Sequence, residues 1–171
     1  MDYPEIFSQL EALHRDAFGW AVSCCAGDWH RGEDVLQAAY GKALRGAARF
    51  DGRAALKTWW FGVIRLTALE EARRARRWLD FLNVWQSEPA ATETAAPVVE
   101  EDAELAALAR ALPALSARQR EVLHLTFYQG LSVSEAADVM GISVGSARQH
   151  YERGKARLRE ILQQQPRTTH E

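Results

Sequence analysis

Nowhere in the 171 residues do eighteen apolar residues run together, so the chain lacks a stretch able to span a bilayer as a helix. The opening MDYPEIFSQL has neither the basic nor the apolar segment of a secretory signal, so a cytoplasmic protein without membrane insertion is expected. Cysteine is scarce. Cys24 and Cys25 are the only two, adjacent within an expected helix, and fit neither a disulfide framework nor a zinc site; they are expected as buried structural thiols. The five histidines (His14, His30, His124, His150 and His170) show no ligand spacing, and no glycine-rich phosphate loop occurs. No catalytic residue, metal or cofactor is therefore assigned, and an enzyme is not expected. Strand-like alternation is missing as well. Every convincing element is helical, and an all-α fold follows.

Net charge is also small, −2 overall with pI ≈ 6.2, but it is unevenly placed. Residues 1–85 carry 12 Lys/Arg against 11 Asp/Glu, residues 86–104 carry six acidic groups and no basic one, and residues 105–171 carry 9 Lys/Arg against 6 Asp/Glu. The middle segment, with Pro89, Pro97 and many alanines, threonines and glutamates, cannot bury enough surface to order itself. The expected layout is two small helical domains, 1–85 and 105–165, joined by a flexible acidic linker over 86–104 and followed by a frayed tail over 166–171.

What is present begins with a helical stripe of Ile6, Leu10, Leu13, Ala17 and Ala21, expected to stop at Gly27. A second helix, from Asp28 or His30 to about Ala47, sets Val35, Leu36, Ala39, Tyr40, Ala43 and Leu44 inward and leaves Glu33, Asp34 and Gln37 outward. Phe50, Asp51 and Gly52 make a turn, and a long helix runs from about Ala54 to Leu79. Arg73, Arg74, Arg76 and Arg77 crowd the end of that helix. Some of them complement the helix dipole, but four exceed what a cap needs. With Trp59, Trp60 and Phe61 upstream, the helix pairs aromatic rings able to stack on unpaired bases with a positive stripe for the backbone; core packing is the competing role for each tryptophan.

Past the linker, residues 101–112 form an expected helix closed by Pro113. Ser116 and Gln119 then form a capping box for a helix burying Val122, Leu123 and Phe127 up to Gly130. Ser132 and Glu135 repeat the box and open a helix burying Val133, Ala136, Ala137 and Met140, which Gly141 ends. Ser143 is placed to cap the last helix, whose inward face is Ala147, Tyr151, Gly154, Leu158 and Ile161. Arg148, Gln149, Glu152, Arg153 and Lys155 point elsewhere. This is the helix-turn-helix arrangement for entering a major groove, and Ser143, Gly145 and Ser146 let the helix N-terminus approach phosphate closely. An ordinary helical hairpin with a solvated charged face has the same spacing.

The segment ALSARQREVLHLTFYQGLSVSEAADVMGISVGSARQHYERGKARLREIL resembles region four of bacterial sigma factors. GEDVLQAAYGKALRGAARFDGRAALKTWWFGVIRLTALEEARRARR looks like region two, and the order of the two with an acidic segment between resembles the extracytoplasmic-function class of the sigma-70 family. The resemblance implies a promoter-directing, signal-responsive transcription initiation factor. Its implied partners are core RNA polymerase, met at the clamp helices of the largest subunit by Glu33, Asp34 and Gln37, promoter DNA, and an anti-sigma factor. By the same resemblance, Phe50, Asp51, Arg53, Trp59 and Trp60 contact the single-stranded bubble edge. Arg73, Arg74, Arg76 and Arg77 bind DNA, as do Ser143, Ser146, Arg148, Gln149, His150, Arg153 and Lys155 at the distant promoter element. Five positions depart from the family pattern: Leu66 stands where asparagine is usual, Gly32 and Arg31 replace the usual small residue and acid before Glu33, and His150 and Gln149 sit where basic and small residues are common. The alternative function is a polymerase-independent helix-turn-helix repressor or activator, which accounts for the second half but not for the Glu33, Asp34 and Gln37 face.

Overall fold

A computed structural model describes residues 3–83 and 111–164, and every described element is helical. They belong to two compact units, one on either side of the acidic segment. The expected linker over 86–104, the tail over 166–171 and all but the last two positions of the helix expected over 101–112 lie outside the described residues.

In the first unit the stripe beginning at Ile6 is carried by two helices rather than one: α1 (Tyr3–Ala12) and α2 (His14–Cys24) part at Leu13, whose backbone leaves the helical basin at φ −89, ψ 0. The break is slight, because the Leu13 amide still donates to the Gln9 and Leu10 carbonyls, both at 3.2 Å. Ala26 and Gly27 take left-handed backbones and end α2. Asp28 then caps α3 (Trp29–Leu44), accepting from the Arg31 amide at 3.0 Å. This helix stops three residues before the expected Ala47, since left-handed Gly46 lets the Ala47 amide turn back to the Lys42 carbonyl at 2.9 Å. The fourth helix, α4 (Leu56–Asn83), starts two residues later than expected and runs further. Leu10, Ala17, Trp20, Val35, Leu36, Ala39, Trp60, Phe61 and Ile64 close the core, and the Trp20 indole N–H donates to the Phe61 carbonyl at 3.0 Å. Cys25 is buried and Cys24 half-buried, and burial pushes the Cys25 thiol pKa up, away from thiolate reactivity.

One contact fixes the spacing of α2 and α3. A Cβ built on Gly32 would fall 2.7 Å from Val22 Cγ2 and 2.9 Å from Val22 Cα, so only glycine lets the backbones approach this closely. Leu44, expected inward, is exposed instead, since it lies seven residues beyond exposed Gln37 on the outward side of α3.

In the second unit both capping boxes are formed. Ser116 accepts from the Gln119 amide while Gln119 accepts from the Ser116 amide, opening α5 (Ala117–Leu123). A π-helical turn, His124–Tyr128, continues it. Ser132 and Glu135 open α6 (Val133–Met140), which ends at left-handed Gly141 (φ 63), and α7 (Val144–Gln164) follows. Val139 joins Ala136, Ala137 and Met140 in the core, while Val133 is half-buried. Phe127 departs from expectation and is 66% exposed. It keeps to the stripe of α5 that faces α7 and stacks on Tyr151 at 5.8 Å, but only one face of its ring is covered at that edge of the unit.

Candidate nucleic-acid interface

The turn between α6 and α7 is held by local hydrogen bonds. Ser143 Oγ accepts from the Ser146 amide at 3.1 Å and lies 2.9 Å from Ser146 Oγ, so the two serines close the first turn of α7 together. Both remain exposed. The Arg118 guanidinium donates to the Met140 carbonyl at 3.3 Å and ties α5 to the end of α6. Ala147 and Gly154 are buried against the rest of the unit, which turns Arg148, Gln149 and Arg153 to solvent on one face with Ser146. Glu152 shares that face and brings a negative charge between the arginines. His150 is half-buried on one shoulder. Lys155 occupies the other, its ammonium 4.8 Å from the Tyr151 ring centroid and 3.8 Å from Glu152, so it flanks the Arg148, Gln149 and Arg153 face rather than belonging to it.

In the first unit the outward line of α4 is set by a seven-residue interval. Trp59, Leu66 and Arg73 fall on it, and Leu66 is 58% exposed. Phe50 packs against Trp59 at 5.3 Å, joining the loop before α4 to the start of this line. In that loop Asp51 accepts from the Arg53 amide at 3.1 Å and pairs with the Arg53 guanidinium at 3.3 Å. Arg73, Arg74, Arg76 and Arg77 are all exposed. Trp60 is a correction to the expected bubble contacts: it is wholly buried between α3 and α4, 4.9 Å from the Tyr40 ring, and has no face to offer a base. Consecutive helical residues point about 100° apart, and the face of α4 that packs on α3 takes Trp60 while Trp59 stays half-buried.

Glu33, Asp34 and Gln37 lie together and exposed on α3. The exposed Leu44 sits seven residues beyond Gln37 on the same face, an apolar contribution that the inward reading of Leu44 concealed. Among the described residues no group of His, Cys, Asp or Glu is placed to hold a metal ion, and no helix is long and apolar enough to cross a membrane.

Residues 10–78 match the Sigma-70 region 2 family and residues 105–158 match Sigma-70, region 4. The RNA polymerase sigma factor CnrH of Cupriavidus metallidurans is 32% identical over 168 residues, an overlap covering 91% of this chain and 86% of that one. The chain belongs to the RNA polymerase sigma factors of the ECF class. The ECF sigma factor SigM of Mycobacterium tuberculosis is 30% identical over 134 residues, covering 76% of this chain but 63% of SigM, so this sigma factor matches less than two thirds of that relative. A solved structure of the sigma factor RpoE with the anti-sigma factor NepR, from Bartonella quintana, matches with a TM-score of 0.73 at 25% identity and covers 95% of this chain and 99% of RpoE. In this ECF sigma factor the region 2 match takes in the Glu33, Asp34 and Gln37 face and the α4 arginines, and the region 4 match takes in the α6–α7 turn.

Proposed function

We propose that this sigma factor directs core RNA polymerase to specific promoters and supports initiation there. The observation that carries the reading is that exposed faces of different chemistry, one acidic and others basic or aromatic, are set on two compact units. The Glu33, Asp34 and Gln37 face of α3 is acidic and would dock on the clamp helices of the polymerase largest subunit. The Phe50–Trp59 pair, Arg53 and the α4 arginines would meet the upstream edge of the bubble. Arg148, Gln149 and Arg153 would read the distant element, where an arginine bidentate to guanine contributes about 1–3 kcal/mol of discrimination. No catalysis by this chain is required, and its place of action is with polymerase in the cytoplasm.

Charge supports a dependence on polymerase. Phosphate neutralisation drives most DNA affinity, and a chain with net charge −2 supplies little of it. Polymerase would hold the two units at a set separation, making the second DNA contact effectively intramolecular. An anti-sigma partner that covers these faces would keep the factor off polymerase; the matching RpoE structure is a complex with the anti-sigma factor NepR. Reconstituted transcription with core enzyme tests the reading: specific run-off product is expected. Tight promoter binding by the isolated chain at physiological salt, with no run-off when core enzyme is added, would refute it in favour of a polymerase-independent regulator.

A further inference from the structure

The line of α7 that stands furthest from buried Ala147 and Gly154 carries Gly145, Gln149, Glu152 and Ala156, all exposed and set at intervals of four, three and four. Arg148 and Lys155 border this line on one side and Arg153 on the other. The part of the helix that would reach deepest into a groove is therefore small and uncharged at both ends, with an amide and a carboxylate at its centre and cations on its flanks. Nor is the carboxylate taken up within the protein as its neighbours are. Glu121 accepts from Arg118 at 3.5 Å, Glu135 from the Ser132 amide at 2.8 Å and Glu160 from Arg157 at 3.1 Å. Glu152 stands 3.8 Å from the Lys155 ammonium, too far for a hydrogen bond, and its side chain is 67% exposed.

We propose that Glu152 reads a base: its carboxylate accepts from the exocyclic amino group of a cytosine in the major groove, and the distant promoter element carries that cytosine within about two base pairs of a guanine bound by Arg148. The inference rests on the promoter reading above and adds a base to it. A carboxylate carried between two phosphate strands is repelled unless a donor meets it. On the groove floor guanine offers N7 and O6 and thymine O4, all acceptors, while the amino group of adenine lies beside its N7 acceptor. Cytosine presents an amino group with no acceptor next to it on the same base. The order of preference at Glu152 is therefore cytosine, then adenine, then guanine and thymine. Four residues of helix separate Arg148 from Glu152, a rise of about 6 Å, against about 3.4 Å for one base-pair step, which sets the spacing of the two bases.

The test selects from duplexes randomised over the distant element, using the full chain in two formats: bound to core polymerase, and alone at low salt, where phosphate contacts strengthen binding. The native chain is expected to enrich cytosine at one position at least about fivefold over guanine or thymine, with a guanine about two positions away. Glu152→Gln should move the preference at that position from cytosine to adenine, the base that a side-chain amide fits bidentately. Glu152→Ala should flatten that position and leave the guanine in place, and Lys155→Met should keep the cytosine. A guanine enriched with no cytosine near it, or a Glu152→Ala profile that matches the native one, overturns the proposal. So does Glu152→Ala binding that tightens equally on every sequence, which marks a charge that only repels. Loss of the cytosine in Lys155→Met would also overturn it, because Glu152 would then act by positioning the lysine. Selection of the cytosine by the chain alone, with no run-off from the selected duplexes when core enzyme is added, would remove the polymerase reading and leave the Glu152 assignment standing. No sequence selection in either format would overturn both.

Discussion

Replacing Gly32 by alanine tests the packing that sets the proposed polymerase-facing surface, and its cost can be bounded from the geometry. In an open helical site the change from glycine to alanine stabilises by about 1 kcal/mol. At Gly32 the new methyl would meet Val22 Cγ2 at 2.7 Å and also Val22 Cα and N at 2.9 and 3.0 Å. The side chain can rotate, but the α2 backbone can only retreat. Such overpacking costs about 1–3 kcal/mol, and backbone contact places it at the upper end. The net expectation is a loss of about 2 kcal/mol. Gly62 is the internal control: it lies within α4, a Cβ there meets nothing within 4 Å, and Gly62→Ala should gain up to about 1 kcal/mol. All six tryptophans lie within the first 85 residues, so tryptophan fluorescence during urea unfolding of the whole chain follows the first unit alone. The two variants should bracket the native midpoint. A Gly32→Ala chain as stable as Gly62→Ala would show that α2 and α3 are not held by this contact and would refute the reasoning.

Legibility in the sequence divided along physical lines. Features fixed by a few neighbouring residues could be read directly. The two Ser-x-x-Glu/Gln boxes, the left-handed end at Gly141 and the Ser143 cap need only local hydrogen bonds and one backbone conformation, and each is present. The outward setting of Glu33, Asp34, Gln37, Arg148, Gln149 and Arg153 followed from periodicity for the same reason. Features that depend on how a helix is set against its neighbours could not be read. Leu44 falls on the side of exposed Gln37, Phe127 stacks on Tyr151 yet stays 66% exposed, and Trp78 lies beyond the buried part of α4. The choice between Trp59 and Trp60 as the surface ring also turned on the rotational setting of α4 against Tyr40 and Trp20. Gly32 showed in the sequence only as a departure from the family pattern. Its steric role needed the path of α2.

Three further outcomes follow from the same structure. Arg148→Ala and Arg153→Ala should each lower affinity of the polymerase-bound factor for its promoter by about 1–3 kcal/mol and relax base preference at one position, measured by competition among single-base promoter variants; loss that is uniform across the variants would reassign that arginine to phosphate. His124, in the π-helical turn against Tyr128 and within 3.3 Å of Gln129 Nε2, is held neutral by burial, which lowers its pKa from 6.5 to about 4. Because the folded-state value lies below the unfolded one, its contribution is complete above pH 6.5 and is lost as pH falls toward 4, up to about 3 kcal/mol at 1.36 per unit; circular dichroism unfolding of the native chain and of His124→Gln at pH 7.5 and 4.5 should differ in slope, and identical pH dependence would refute this. Leu66 offers the sharpest separation of recognition from stability. It is 58% exposed between the Phe50–Trp59 pair and the arginines, so its side chain contributes little to the core, and Leu66→Asn should leave the fluorescence-detected midpoint within about 0.5 kcal/mol of native. The same change puts an amide donor and acceptor where only an apolar side chain stood, on the line expected to face the bubble edge. Run-off from templates varied at the upstream bubble edge should therefore shift in base preference while stability holds. A change in stability without a change in preference would place Leu66 in a packing role and move the bubble contact off this face of α4.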